Sequence, residues 1–191
     1  MSKIEKSNSL YLPFRKTSSC LKEMLTHLDE YIDLLNNEVN IRADSKEIVS
    51  DQSFQSSLFN YAPLTSSSTH ILLLGGMGPL AGIYGMKDSL AVFQERYSIT
   101  LFQACFIPRR DKDKDITINL YDALNIALQN CPKDKEIELI VLCNSAHVFM
   151  DGVMELFHRE SLFKDIKIRF NSLKLSVEKN IDQFYEKECI A

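Results

Sequence analysis

Cys143 closes the apolar run Ile137-Glu138-Leu139-Ile140-Val141-Leu142 and is followed by Asn144-Ser145-Ala146-His147. A thiol where a strand gives way to a helix stands at the positive end of the helix dipole, which favours the thiolate, its proton-accepting and nucleophilic form. Asn144 and Ser145 add an amide, a hydroxyl and backbone N–H groups suited to a carboxylate, and His147 offers a ring nitrogen as a proton partner. The plainer alternatives are a buried strand-end cysteine and a histidine that merely sits at the helix start. An earlier apolar run, His70-Ile71-Leu72-Leu73-Leu74, ends in a similar way at Gly75-Gly76-Met77-Gly78-Pro79-Leu80-Ala81. Its glycines permit positive φ and close approach of backbone to a ligand, and Pro79 suits the first turn of a helix. The spacing is neither G-x-G-x-x-G nor a P-loop, so no nucleotide is implied, and a tight packing turn is the other reading.

These junctions need elements to hold them. Strands are expected at 70–74, 98–106, 137–142 and 166–170, those at 70–74 and 137–142 buried. Helices are expected at 79–96, 116–130, 146–157 and 173–186. Such alternation predicts an α/β fold with right-handed crossovers: a doubly wound, parallel, four-stranded sheet with helices on both faces. Ahead of it, Leu21, Met24, Leu25, Leu28, Ile32 and Leu35 recur at helical spacing after a serine cap, with Glu23 in the first turn. This amphipathic helix either covers the sheet or binds another protein. Residues 43–69 turn polar and serine-rich, which predicts a linker. The expected organisation is a helical and polar extension over 1–68 and an α/β domain over 69–191.

The 22 Lys and Arg against 26 Asp and Glu give a net charge of −4, and the one basic cluster, 109–114, is diluted by acidic residues. That balance argues against nucleic acid. No run approaches the roughly 20 apolar residues of a membrane span, and the first residues lack a signal-peptide core. Five cysteines without a C-x-x-C pair and four dispersed histidines suggest neither disulfides nor a metal site. The expectation is a soluble cytoplasmic protein with no metal and no cofactor.

The two junctions together resemble the aspartate/glutamate racemase superfamily, its aspartate racemase branch in particular. Gly-Gly-Met-Gly-Pro-Leu-Ala and Cys-Asn-Ser-Ala-His occur in the family's order, 68 residues apart from Gly75 to Cys143. Between them Ile107-Pro108-Arg109-Arg110-Asp111 is similar to the family's Ile-Pro-Asp-Arg-Thr loop. The resemblance covers roughly residues 70–175. It implies cofactor-independent proton transfer at the α-carbon of a small acidic amino acid or dicarboxylate. Cys143 would take the proton and Arg110 would hold the side-chain carboxylate. Met77, Gly78, Asn144, Ser145 and His147 would line the rest of the site.

The chain also departs from that pattern. Family members carry a second lobe with a second cysteine in a Gly-Cys-Thr-Glu motif, whereas only 48 residues follow Cys143 here. Cys189 follows a charged stretch and reads as a tail residue; Cys105 and Cys131 read as strand core and helix end. Gly82 stands where the family has threonine. The expectation is therefore one lobe, for which three readings compete: a racemase completed by a second copy or a partner chain, a racemase-fold binding protein, or a shortened product with little activity. A single-cysteine dicarboxylate isomerase of the maleate isomerase type is the further alternative.

Overall fold

A computed structural model describes residues 14–44, 56–76, 78–93, 96–107, 115–163 and 165–170, with the backbone alone at 38–44, 144 and 145. In chain order the elements are β1 (Phe14–Ser18), α1 (Leu21–Asp44), β2 (Ser57–Tyr61), β3 (Thr69–Gly75), α2 (Pro79–Phe93) and β4 (Ser98–Gln103). Then follow α3 (Thr117–Gln129), β5 (Glu136–Val141), a 3-10 segment (Asn144–Phe149), α4 (Met150–Glu160) and β6 (Ile168–Phe170). The expected helix at 173–186 lies outside the described residues.

The fold is α/β, but the sheet is larger than expected and mixed, with six strands in the order β1-β2-β4-β3-β5-β6. From β4 to β6 all neighbours pair in parallel. β2 then adds to β4 antiparallel, and β1 adds to β2 in parallel. The stretch expected to be a polar linker thus contains a strand. Its serines conceal Leu58-Phe59-Asn60-Tyr61, in which Leu58 is buried toward one face of the sheet and Phe59 and Tyr61 toward the other. A strand covered on both faces has no polar alternation to betray it.

Side chains of period two sort the core into two layers. Leu72, Leu74, Phe102 and Leu139 pack with α3 and α4, while Ile71, Leu73, Leu101 and Phe59 pack with α1 and α2. The stripe of α1 is intramolecular core: Met24, Leu28, Tyr31 and Leu35 are buried. Tyr31 meets Phe14 at 4.6 Å and Phe59 at 5.5 Å, tying β1, α1 and β2 together. The serine stands ahead of the helix rather than capping its first N–H groups: Ser18 Oγ accepts the Cys20 N–H at 3.0 Å and donates to the Glu23 carboxylate at 2.6 Å, a side-chain turn that leads into Leu21.

Where β3 and β4 begin, a buried polar chain crosses the sheet. Thr100 Oγ1 donates to Asn60 Oδ1 at 2.9 Å, so the contact between His70 Nε2 and Thr100 Oγ1 at 3.0 Å needs the proton on Nε2. Lys135 Nζ donates to Ser98 Oγ at 3.2 Å, leaving the Ser98 hydroxyl to donate to His70 Nδ1 at 2.8 Å. One neutral tautomer satisfies every member. A second ring proton would face a serine already turned toward it and the Lys135 cation. Burial first, and Lys135 second, push the His70 imidazole down to about 4.

Two predictions follow from this core. Phe59→Ala should cost about 3–5 kcal/mol in urea unfolding, and Leu34→Ala, on the exposed side of α1, less than about 0.5 kcal/mol. Because the unfolded chain protonates His70 near 6.5 and the native chain only near 4, stability should fall as pH drops through that window. His70→Gln should remove that component from the pH dependence of the unfolding midpoint; an unchanged slope would count against a neutral His70.

Candidate functional site

From β3 the chain passes through α2 to β4 on one side, then through α3 to β5 on the other side of β3. The two crossovers diverge at the C-terminal ends of β3 and β5, the position at which open α/β sheets bind ligands. The ladders show where each strand lets go. Leu142 N–H donates to Leu74 O at 2.9 Å, and Ala104 N–H donates to Gly75 O at 3.0 Å. Gly76 and Cys143 are the next residues on their strands, and they meet. A Cβ at Gly76 would stand 3.2 Å from the Cys143 Cβ and 3.3 Å from its Sγ, tighter than ordinary packing. The missing side chain lets the half-buried thiol lie directly against the glycine turn.

The helix after Cys143 differs from expectation. Cys143 is extended (φ −109°, ψ 107°), and the Ala146 N–H donates to its carbonyl at 2.9 Å, which opens a 3-10 segment; α4 starts only at Met150. In a 3-10 turn residues i and i+3 eclipse, so Ala146 and Phe149 both fall on the core side while Val148 is exposed. The thiol therefore stands one 3-10 segment away from the α-helix expected at its side, and the strong dipole of α4 begins beyond it.

His147 folds back over this junction. Its Nε2 lies 3.0 Å from the Val141 carbonyl, to which it donates a proton, and the ring stacks on Phe170 of β6 at 5.8 Å and 26°. It ties the Cys143 turn to β5 and β6. Gly78 lies at the start of α2 with open space around its Cα, and Pro79 occupies the first helical position as expected. Asn144 and Ser145 open the 3-10 segment that follows the thiol. Met77 and Arg110 lie outside the described residues.

Gln103, at the end of β4, escaped the reading of the sequence. It is fully buried, and its Nε2 donates to Gly76 O and, at 3.2 Å, to Gly78 O. The other end of the amide fills a socket formed by two glycines: a Cβ at Gly75 or at Gly82 would fall on Oε1. Two features of the sequence pointed there, a glutamine ending an apolar strand and a glycine inside a helix, where glycine costs roughly 1 kcal/mol relative to alanine.

The remaining described thiols are elsewhere. Burial pushes the Cys105 thiol up to about 12, against a smaller opposing contact with Gln103. Cys131, past the end of α3, is likewise raised to about 12 by burial, and its thiol donates to Ala127 O at 3.4 Å. Cys20 is exposed at the start of α1. Among the described residues no group of three or more His, Cys, Asp or Glu is arranged to hold a metal ion, and no helix is long and apolar enough to cross a membrane. No protein-family model, curated protein or solved structure matches the chain.

Gly82→Ala should destabilise the protein by about 1–3 kcal/mol, because the new methyl displaces the Gln103 amide. In a Gln103→Ala background the same change should be neutral or stabilising, since alanine is the better helix former. Chemical denaturation of the four proteins in this cycle measures the coupling; purely additive costs would contradict the socket.

Proposed function

We propose that the chain is a racemase-like protein of the aspartate/glutamate racemase type, in which Cys143 moves a proton at the α-carbon of a small acidic amino acid. The observation that carries this reading is the contact of Cys143 Sγ with the Gly76 turn at the divergent ends of two parallel strands. The parallel run of strands from β4 to β6, with helices on both faces, supports the finer description as a doubly wound lobe, here enlarged by β1, α1 and β2. That added layer supports an intramolecular role for the N-terminal region.

In the proposed step the Cys143 thiolate takes the α-proton and becomes a thiol, and the electron pair left on carbon delocalises into the substrate's α-carboxylate. Its developing charge needs fixed donors, the role assigned to the Met77–Gly78 and Asn144–Ser145 turns. Arg110 would clamp the distal carboxylate so that the α-carbon stays within reach of the sulfur. His147, donating from Nε2 to the Val141 carbonyl, orients the segment that carries the thiol. Gly82, where the resemblance has threonine, brings no hydroxyl; Gln103 occupies that space instead.

Inversion needs a second acid on the opposite face of the α-carbon. Cys105 and Cys131 are too deeply buried and too weakly acidic to serve, so Cys143 is the one thiol among the described residues that lies against the turn. This favours two outcomes for the chain by itself. Either it exchanges the α-proton through Cys143 and returns it to the same face, or the lone thiol adds to an unsaturated dicarboxylate as in maleate isomerases. A second copy or a partner chain would supply the opposite face for racemisation.

Incubation with L-aspartate or L-glutamate in deuterated water should give deuterium at the α-carbon with configuration retained, followed by NMR and chiral chromatography. Cys143→Ala should abolish exchange. Inversion would show that the opposite face is completed. Exchange that survives Cys143→Ala would remove the catalytic assignment, and no reaction with either amino acid or with maleate would favour a binding role.

A further inference from the structure

We propose that Gln103 is a positioning residue that sets the reactivity of Cys143, by holding the carbonyls of Gly76 and Gly78 toward the sheet and away from the sulfur. The inference deepens the reading above and rests on it for the role of Cys143.

Gly76 is shared by the two side chains. Its carbonyl accepts from Gln103 Nε2, and its Cα faces the Cys143 Sγ. The second amide proton of Gln103 goes to Gly78 O, so one side chain engages both described carbonyls of the turn. A carbonyl oxygen swung toward a thiolate, or toward a bound carboxylate, would oppose its charge; the same oxygen held by an amide faces the other way. The glutamine is costly for a position that only fills space. It is fully buried, and Oε1 has no hydrogen-bond partner among the described residues. An uncompensated buried amide oxygen costs on the order of 1–3 kcal/mol, which an apolar side chain of equal length would avoid. Three glycines are arranged around this one amide: Gly75 and Gly82 admit Oε1, and Gly76 passes the constraint to the thiol.

The test uses the full chain and no substrate. Gln103→Met keeps the length and apolar stem but donates no proton. Alkylation by iodoacetamide is followed at each cysteine by mass spectrometry of peptides, with exposed Cys20 as the internal reference. Relative to Cys20, alkylation of Cys143 in Gln103→Met should slow by roughly three- to tenfold near neutral pH, the span of one hydrogen bond's net worth, and its rate profile should move to higher pH. Ile99→Val, a core change two turns of the pleat away on β4, should leave both readouts as in the unmodified chain. Equal rates and profiles in Gln103→Met and the unmodified chain would overturn the proposal. Should Gln103→Met not fold, the unmodified chain decides: the Gln103 side-chain amide protons should exchange with water far more slowly than exposed side-chain amides, and rapid exchange would overturn the proposal. Absence of α-proton exchange with amino acids would remove the proposed function but leave these thiol and amide readouts standing.

Discussion

The candidate site depends on a steric constraint, the absence of side chains at one corner of the sheet. Gly75, Gly76 and Gly82 surround a space already taken by the Gln103 amide on one side and the Cys143 thiol on the other. The constraint is collective. A methyl group at 75 or 82 would evict the amide, and one at 76 would press on the sulfur. Without those absences, the end of β3 could not hold a buried hydrogen-bonding group and a half-buried thiol within one turn of backbone. Close packing makes such a corner intolerant of small changes.

The two ends of the parallel strands treat polar burial in opposite ways. Where β3 and β4 begin, Lys135, Ser98, His70, Thr100 and Asn60 form a chain in which both ring nitrogens and both hydroxyls are paired, and the histidine is held neutral. Such a network stiffens the sheet and fixes its register. Where the strands end, Gln103 spends both protons on the glycine turn and leaves its oxygen without a partner.

The N-terminal region changes what the sheet can do. β1 and β2 extend it beyond β4, and α1 lies beside α2, so the face that carries the Gln103 socket is covered by two helices. The opposite face is covered by α3 and α4. Among the described residues no helix covers the edge at which the strands terminate, where Cys143 is only half-buried and Gly78 is open.

Much of this was legible from residue order. Apolar runs announced β3, β4 and β5, glycine followed by proline announced the start of α2, and the helical spacing of Leu21, Met24, Leu25, Leu28, Ile32 and Leu35 announced α1. These are local signals, carried by neighbours in the chain. The two motifs that end β3 and β5 could likewise be recognised from their own residues. Their contact could not, because it depends on β3 and β5 being adjacent while β4 lies on the far side of β3, a matter of strand order. For the same reason β1 and β2 were hidden: a five-residue strand inside a serine-rich stretch is stabilised by its pairing with β4 and its burial on both faces. The 3-10 segment after Cys143 and the role of Gln103 belong to tertiary structure as well. The first is selected by which residues of Asn144–Phe149 the core can accept, and the second exists only because glycines from a strand and a helix converge on one amide.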